Sequence, residues 1–256
     1  MSEQGSKVGS YFDAEAPEYV RERERQPSFV AQKRFVLEML EGVGGRALDI
    51  GCGPALMEEA LLERGFEVWG VDASAQMIAF AKERIAVHRM AARCHLSVGD
   101  AEHLDFAEGF FDVIVSMGVL EYFPSHERVI GEMHRLLRRG GIAVLTVPNR
   151  AAAYRVAHAA FEALREAAKR VAGRPPAAST RFATNPCLPW QLDRQLEGAG
   201  LRKIESRFCN FIFFPLHQLH SGASDALNRR LTGTLSDSAL GPLLGSQYVV
   251  KVQKTG

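Results

Sequence analysis

Ala47-Leu48-Asp49-Ile50-Gly51-Cys52-Gly53-Pro54-Ala55 is an apolar run that ends in an acid and enters a turn with two glycines one residue apart. Leu56-Met57-Glu58-Glu59-Ala60-Leu61-Leu62 follows with helical character, so the stretch reads as strand, tight turn and helix. Glycine at 51 and 53 lets the backbone turn sharply and brings main-chain N–H groups close to a ligand with no Cβ in the way. A nucleoside cofactor across the strand ends is the expected occupant. A nicotinamide site requires a third glycine, so that the helix N-terminus can press against a pyrophosphate. Leu56 stands at that position, and Pro54 and Ala55 fill the approach. Asp49 suits a cationic or amine-bearing ligand instead.

The chain continues in the same style. Phe66-Glu67-Val68-Trp69-Gly70-Val71-Asp72 is a second strand ending in an acid, after Gly65 closes the first helix. The two oxygens of the Asp72 carboxylate match a vicinal diol such as that of a ribose. Cys94–Val98 runs into Gly99-Asp100-Ala101-Glu102, and Phe111–Ser116 into Met117-Gly118-Val119-Leu120-Glu121-Tyr122. Leu136-Leu137-Arg138-Arg139-Gly140-Gly141 reads as helix end and glycine turn before the strand 142–147. In this order, over residues 40–150, the segments resemble the class I S-adenosylmethionine-dependent methyltransferases, with Asp49-Ile50-Gly51-Cys52-Gly53 as motif I. The resemblance implies S-adenosylmethionine as cofactor and S-adenosylhomocysteine as product. It implies cofactor contacts from Asp49, Gly51, Cys52, Gly53, Asp72, Ala73, Met77, Asp100, Ala101 and Met117, and from a tyrosine near the N-terminus such as Tyr19. Asp100 is the expected acceptor from the adenine amino group. Asp112, near a strand start, reads as structural.

Composition bounds the rest. The 256 residues, 46% apolar, suffice for one α/β core with additions. A net charge of +1 gives no global field for nucleic acid or an anionic membrane. No apolar run reaches the roughly 20 residues that span a bilayer. The polar opening Met1-Ser2-Glu3-Gln4-Gly5-Ser6 lacks the apolar core of a signal peptide. Cys52, Cys94, Cys187 and Cys209 are dispersed, with no Cys-x-x-Cys pair, and read as reduced thiols of a cytoplasmic protein. No carboxylate–histidine cluster has metal-ligand spacing, so no metal is expected.

The expected fold is α/β and Rossmann-like. It has seven strands in a mostly parallel sheet, helices on both faces, an antiparallel last strand at 246–252 and helical cap insertions. The sixth strand is expected from Leu201 to about Phe208. The whole chain reads as a single methyltransferase domain, with residues 1–40 as a helical cover and 150–186 and 211–245 as candidate lids. The run Arg21-Glu22-Arg23-Glu24-Arg25 reads as a solvated helix face, and Arg34 as a partner for the cofactor carboxylate. Residues 151–172 repeat Tyr154, Ala157, Phe161, Leu164, Ala168 and Val171 at helical steps, with Arg150, Arg155, Arg165, Lys169 and Arg170 in excess over Glu162 and Glu166. Such a helix either covers the acceptor pocket or rests on a membrane surface. The link from Phe211 to His220 is apolar, which favours a hydrophobic small-molecule acceptor over a sugar, protein or nucleic acid. Where the resembled family often has Glu-His, this chain has Glu121-Tyr122. The base therefore stays open, with Tyr122, His217 and His220 as candidates and His103 and His158 behind them. Oxygen is the expected methylated atom. Carbon or nitrogen, or cofactor binding without methyl transfer, is the alternative.

Overall fold

A computed structural model describes residues 1–171, 182, 184–212 and 221–255. Two helices, α1 (Glu3–Arg23) and α2 (Pro27–Met39), precede β1 (Arg46–Ile50). Then come α3 (Glu58–Glu63), β2 (Glu67–Asp72), α4 (Ala75–Ala86), β3 (Cys94–Val98), β4 (Phe111–Met117), α5 (Glu127–Leu136) and β5 (Leu137–Pro148). The chain closes with α6 (Ala153–Val171), α7 (Pro189–Gly198), β6 (Leu201–Phe211), α8 (Ser221–Leu235), α9 (Gly241–Leu244) and β7 (Gly245–Lys254). The seven strands of the described residues lie in the order β3-β2-β1-β4-β5-β7-β6, and β7 runs opposite to the other six.

The period-two alternation of the strands sorts the core into two layers. On β1 and β4, Ala47, Val113 and Val115 pack with α2 and α3 side chains such as Val36, Leu61 and Leu62. Their neighbours Leu48, Ile50 and Ile114 pack with α5 and α7 on the other face, through Ile130, Met133, Leu192 and Leu196. From β1 the chain winds outward through β2 and β3, then returns to pair β4 on the opposite side of β1. That reversal opens a crevice at the carboxyl ends of the central strands, where open α/β sheets bind ligands.

Three local expectations change. Pairing of β5 with β4 begins at Leu137 opposite Phe111 and resumes at Ile142 opposite Val113. The glycine turn Arg138–Gly141 is therefore an excursion within one strand rather than a break before it, held by Arg138 on Asp112. The strand β6 extends through Phe211, which is fully buried, so the apolar link starts later than its sequence suggests. Helix α3 starts only at Glu58, because Ala55 takes a left-handed backbone with φ +63° and delays helix entry. His217 and His220 lie outside the described residues.

Candidate cofactor and acceptor site

The turn after β1 is built from conformations that only small residues take easily. Gly51 has φ +76°, and a Cβ there would stand 2.3 Å from Cγ2 of Val119. The N–H groups of Gly51 and Cys52 donate to the Val71 carbonyl at 2.8 and 3.0 Å, which ties the turn to the end of β2. Asp72 accepts from the N–H groups of Gly53 and Ser74, each at 2.9 Å. Burial pushes its carboxyl up, while these two donors hold it back. Ser74 then caps α4 by accepting from the Met77 N–H.

Beyond the turn, at the carboxyl ends of the central strands, lies a concave cavity lined by both apolar and charged side chains. Of the residues expected at the cofactor, Gly51, Gly53, Asp72, Ala73, Met77, Asp100, Ala101, Met117 and Tyr19 line it, and so does Tyr122. Asp49 and Cys52 do not. They line a smaller cleft behind the turn, which shares Tyr19, Arg23, Gly51, Gly53 and Met117 with the main cavity. Asp49 also meets Glu58, which does not line that cleft, and both carboxyls are buried.

Asp100 accepts from the Ser2 and Glu102 N–H groups. Burial alone would raise its pKa, but these donors outweigh it and hold the carboxyl low. The Ser2 contact brings the start of α1 over the cavity. Gly5 lies so close that a Cβ would stand 2.6 Å from the Asp100 carboxylate, and a Cβ at Gly9 would stand 2.5 Å from the Ala73 carbonyl. Asp13 accepts from the Ser74 hydroxyl at 2.6 Å and from the Gln76 N–H at 3.1 Å. The side chain of Gln4 donates to the Tyr122 carbonyl.

Arg34 is half exposed, pairs with Glu38 and stacks over Phe35 on α2, away from the cavity. The guanidinium at the cavity is Arg23, from the charged run that reads as a solvated face. It lies 5.5 and 4.9 Å from the ring centres of Tyr19 and Phe29, with a buried Nε that has no partner. A lone cation between aromatics in an alternating-charge run could be found by asking which arginine shares a helical face with Tyr19, four residues earlier. A buried histidine, His126, lies on the opposite face of the sheet from α2. It sits at the start of α5, 3.1 Å from Oε1 of Gln195 and beside Cys187.

An aromatic wall closes the far side. Phe12 packs against Tyr19 at 5.7 Å and Tyr122 at 5.2 Å, and Phe182 against Tyr11 at 5.3 Å and Tyr122 at 5.7 Å. Within this wall Glu121 sits on the short 3-10 turn Leu120–Tyr122. Burial raises its carboxyl to about 7, against the pull of Arg23 and then Arg155. Among the described residues no group of three or more His, Cys, Asp or Glu is arranged to hold a metal ion, and no helix is long and apolar enough to cross a membrane.

Residues 48–145 match the family model described as a methyltransferase domain. They belong to the class I S-adenosylmethionine-dependent methyltransferases. The chain is 36% identical over 102 residues to a phosphatidylethanolamine N-methyltransferase of Cereibacter sphaeroides, covering 40% of this chain and 50% of that one. It is 30% identical over 151 residues to a ubiquinone/menaquinone biosynthesis C-methyltransferase of Geotalea uraniireducens, covering 57% and 64%. It is 33% identical over 110 residues to a ubiquinone biosynthesis O-methyltransferase of Pseudomonas aeruginosa, covering 42% and 46%. The chain thus spans about half to two-thirds of the length of these relatives. The fold extends further than the sequence likeness. The [4+2]-cyclase SpnF superposes with a TM-score of 0.66 at 19% identity, over 98% of this chain and 96% of that one.

The residues present fit the cofactor of this family, S-adenosylmethionine. At Gly53 a Cβ would meet only Cε1 of Tyr19, at 3.8 Å, so its absence leaves room against the turn. The Asp72 carboxylate lies beside that room, and the cavity continues to Asp100.

Proposed function

We propose that this chain is an S-adenosylmethionine-dependent methyltransferase acting on a hydrophobic small molecule, with oxygen as the methylated atom. The observation that carries this reading is one continuous cavity running from the Gly51–Gly53 turn to the wall of Phe12, Tyr19 and Tyr122. The cofactor, when bound, supplies an electrophilic methyl group on a sulfonium. The chain's own task is alignment and exclusion of water. Asp72 would hold the ribose hydroxyls, Asp100 the adenine amino group, and Arg23 the carboxylate by a charge-assisted hydrogen bond. The aromatic wall would take the acceptor.

Residues 1–40 serve in this reading as a cover over the cofactor, and 150–186 with 211–245 as one lid over the acceptor, all within a single domain. Positions 172–181, 183 and 213–220 of those segments lie outside the described residues. Several contacts support the lid. The Asn185 N–H donates to the Glu121 carbonyl at 2.7 Å, and Asn149 pairs with Cys187 at the base of the segment. The Asn149 amide donates to the carbonyls of Pro242 and Gly245, each at 2.8 Å. A second reading, transfer to nitrogen or carbon of a small molecule or lipid, draws on the names of two of the relatives.

Turnover of radiolabelled S-adenosylmethionine on phenols, carboxylic acids, amines and phosphatidylethanolamine vesicles tests the reading. Phenols as the methylated class are expected. Label only on amines or vesicles moves the chain to the second reading, and binding of S-adenosylhomocysteine with no transfer to anything makes it a cofactor-binding protein. Asp72→Ala removes a carboxylate that also braces the glycine turn, and should weaken S-adenosylhomocysteine binding by on the order of 1–3 kcal/mol. Calorimetry reads this directly.

A further inference from the structure

We propose that the Glu121 carboxylate is the general base of the transfer, so that the acceptor group meeting it is a hydroxyl. This rests on the methyltransferase reading and narrows it to acceptors that must lose a proton.

The other carboxylates around the cavity are committed. Asp72 and Asp100 each accept two backbone N–H groups, and Asp49 faces the cleft behind the turn. Glu121 lines the same cavity and is partly buried, yet among the described residues its carboxylate makes no hydrogen bond or close ion pair. Its backbone is fixed from both sides. Gly118, with φ +69°, turns the chain out of β4, and the Asn185 N–H grips the Glu121 carbonyl. A partly buried carboxylate left open to a cavity, on a held backbone, is arranged to accept a proton from a ligand rather than to brace the fold.

The charges facing it fit that role. Arg23 on α1 and Arg155 on α6 act on it from beyond ion-pair distance, and each has a buried Nε with no partner. Tyr19 and Tyr122 face it with phenols that burial raises, so neither competes for a proton near neutrality. Cys187, on the segment that grips it, is pushed up to about 11 by burial and then by Glu121 itself. Burial against the two arginines leaves Glu121 at about 7, which suits proton transfer at neutral pH.

The step balances. The acceptor O–H passes its proton to a Glu121 carboxylate oxygen as the O–CH3 bond forms and the methyl–sulfur bond breaks. The sulfonium becomes a neutral thioether, and its positive charge leaves as the proton, which Glu121 returns to water once product departs.

The test uses the full chain with Glu121→Gln and Glu121→Asp. For a phenolic acceptor, wild-type kcat/KM should rise through about pH 7, and Glu121→Gln should lose both that limb and ~100-fold or more in rate. Glu121→Asp should recover part of each, and S-adenosylhomocysteine affinity should stay within about threefold in both variants. Infrared difference spectra should show a carboxyl titrating near pH 7 in the wild type and absent from Glu121→Gln, a readout that needs no turnover. A carboxyl titrating instead near an ordinary 4.5, or a pH limb that survives Glu121→Gln, overturns the assignment. So does parallel loss of turnover, cofactor binding and stability in both variants, which is what a merely structural charge would give. Failure of the parent reading looks different: no transfer to any acceptor, with the infrared titration intact.

Discussion

At the scale of single residues, the clearest tension lies beneath the glycine turn. Oδ1 of Asp49 and both carboxylate oxygens of Glu58 are buried without a partner, although the two side chains touch. Two ionised carboxylates cannot share such a site, and one proton between them resolves it by letting one carboxyl donate to the other. Burial pushes Glu58 to about 8, although the nearby N–H groups of Glu58 and Met57 and the Lys33 cation pull the other way. In the unfolded chain Glu58 ionises near 4.5. Folding therefore keeps a proton that the unfolded chain releases, so this contribution to stability is full below about pH 4.5 and is lost progressively up to about pH 8. Asp49, Asp72 and Glu121 are all raised and slope the same way. Glu58→Gln keeps a donor for Asp49 and removes one titration. Urea unfolding at the two ends of that window should show a shallower loss for Glu58→Gln than for the wild type. An equal loss in both proteins would mean that Glu58 is ionised in the fold. Sequence alone could not reach this pair, because Glu58 reads as one more polar position on a helix and only the packing of α3 under the tip of β1 buries it.

Among the elements, α1 decides how much of the cavity is open. Its contacts recur along one face: Ser2 at Asp100, Gln4 at Tyr122, Gly9 at Ala73, Asp13 at Ser74 and Arg23 beside Glu121. At Gly9 the helix lies close against the main chain of Ala73. Adding a methyl there raises helix propensity by about 0.5–1 kcal/mol, which would stabilise the chain if α1 lay free. The methyl would instead meet the Ala73 carbonyl at 2.5 Å, and backbone cannot step aside as a side-chain tip can. Gly9→Ala should lift α1, speed amide exchange over residues 3–23 while leaving the central strands unchanged, and weaken S-adenosylhomocysteine binding by roughly tenfold, about 1.4 kcal/mol. A more stable protein with unchanged affinity would detach α1 from the cofactor site. The contrast with the sheet shows what the sequence could carry. Strand ends, glycine turns and the antiparallel last strand are local patterns of period and backbone freedom, so they were legible. The inward turn of Arg23 and the burial of Glu121 depend on where α1 and α6 come to rest, and an alternating run such as Arg21–Arg25 carries no sign of which residue faces in.

For the molecule as a whole, the open question is what the outer face of α6 meets. The helix leaves β5 at the carboxyl ends of the strands, and its Arg155 acts on Glu121, so its inner face belongs to the acceptor side. Its outer face keeps Val156 63% and Leu164 72% exposed, with Phe161 at 41% and Arg165 beside them, more apolar surface than a plain connection needs. A lid explains this if a hydrophobic acceptor, entering beneath α6, draws these side chains inward. A membrane surface explains it if the basic residues meet anionic headgroups and the apolar ones enter the acyl boundary. Charge at these positions separates the two. Under the lid, Phe161→Glu and Leu164→Glu should lower turnover of a soluble acceptor at least tenfold, an activation loss of about 1.4 kcal/mol, and leave S-adenosylhomocysteine affinity unchanged. Under the membrane reading the same substitutions should abolish co-sedimentation with anionic vesicles and leave soluble turnover intact. Turnover, cofactor affinity and co-sedimentation measured together on both variants decide the matter, and no change in any of the three would leave the outer face of α6 with neither role.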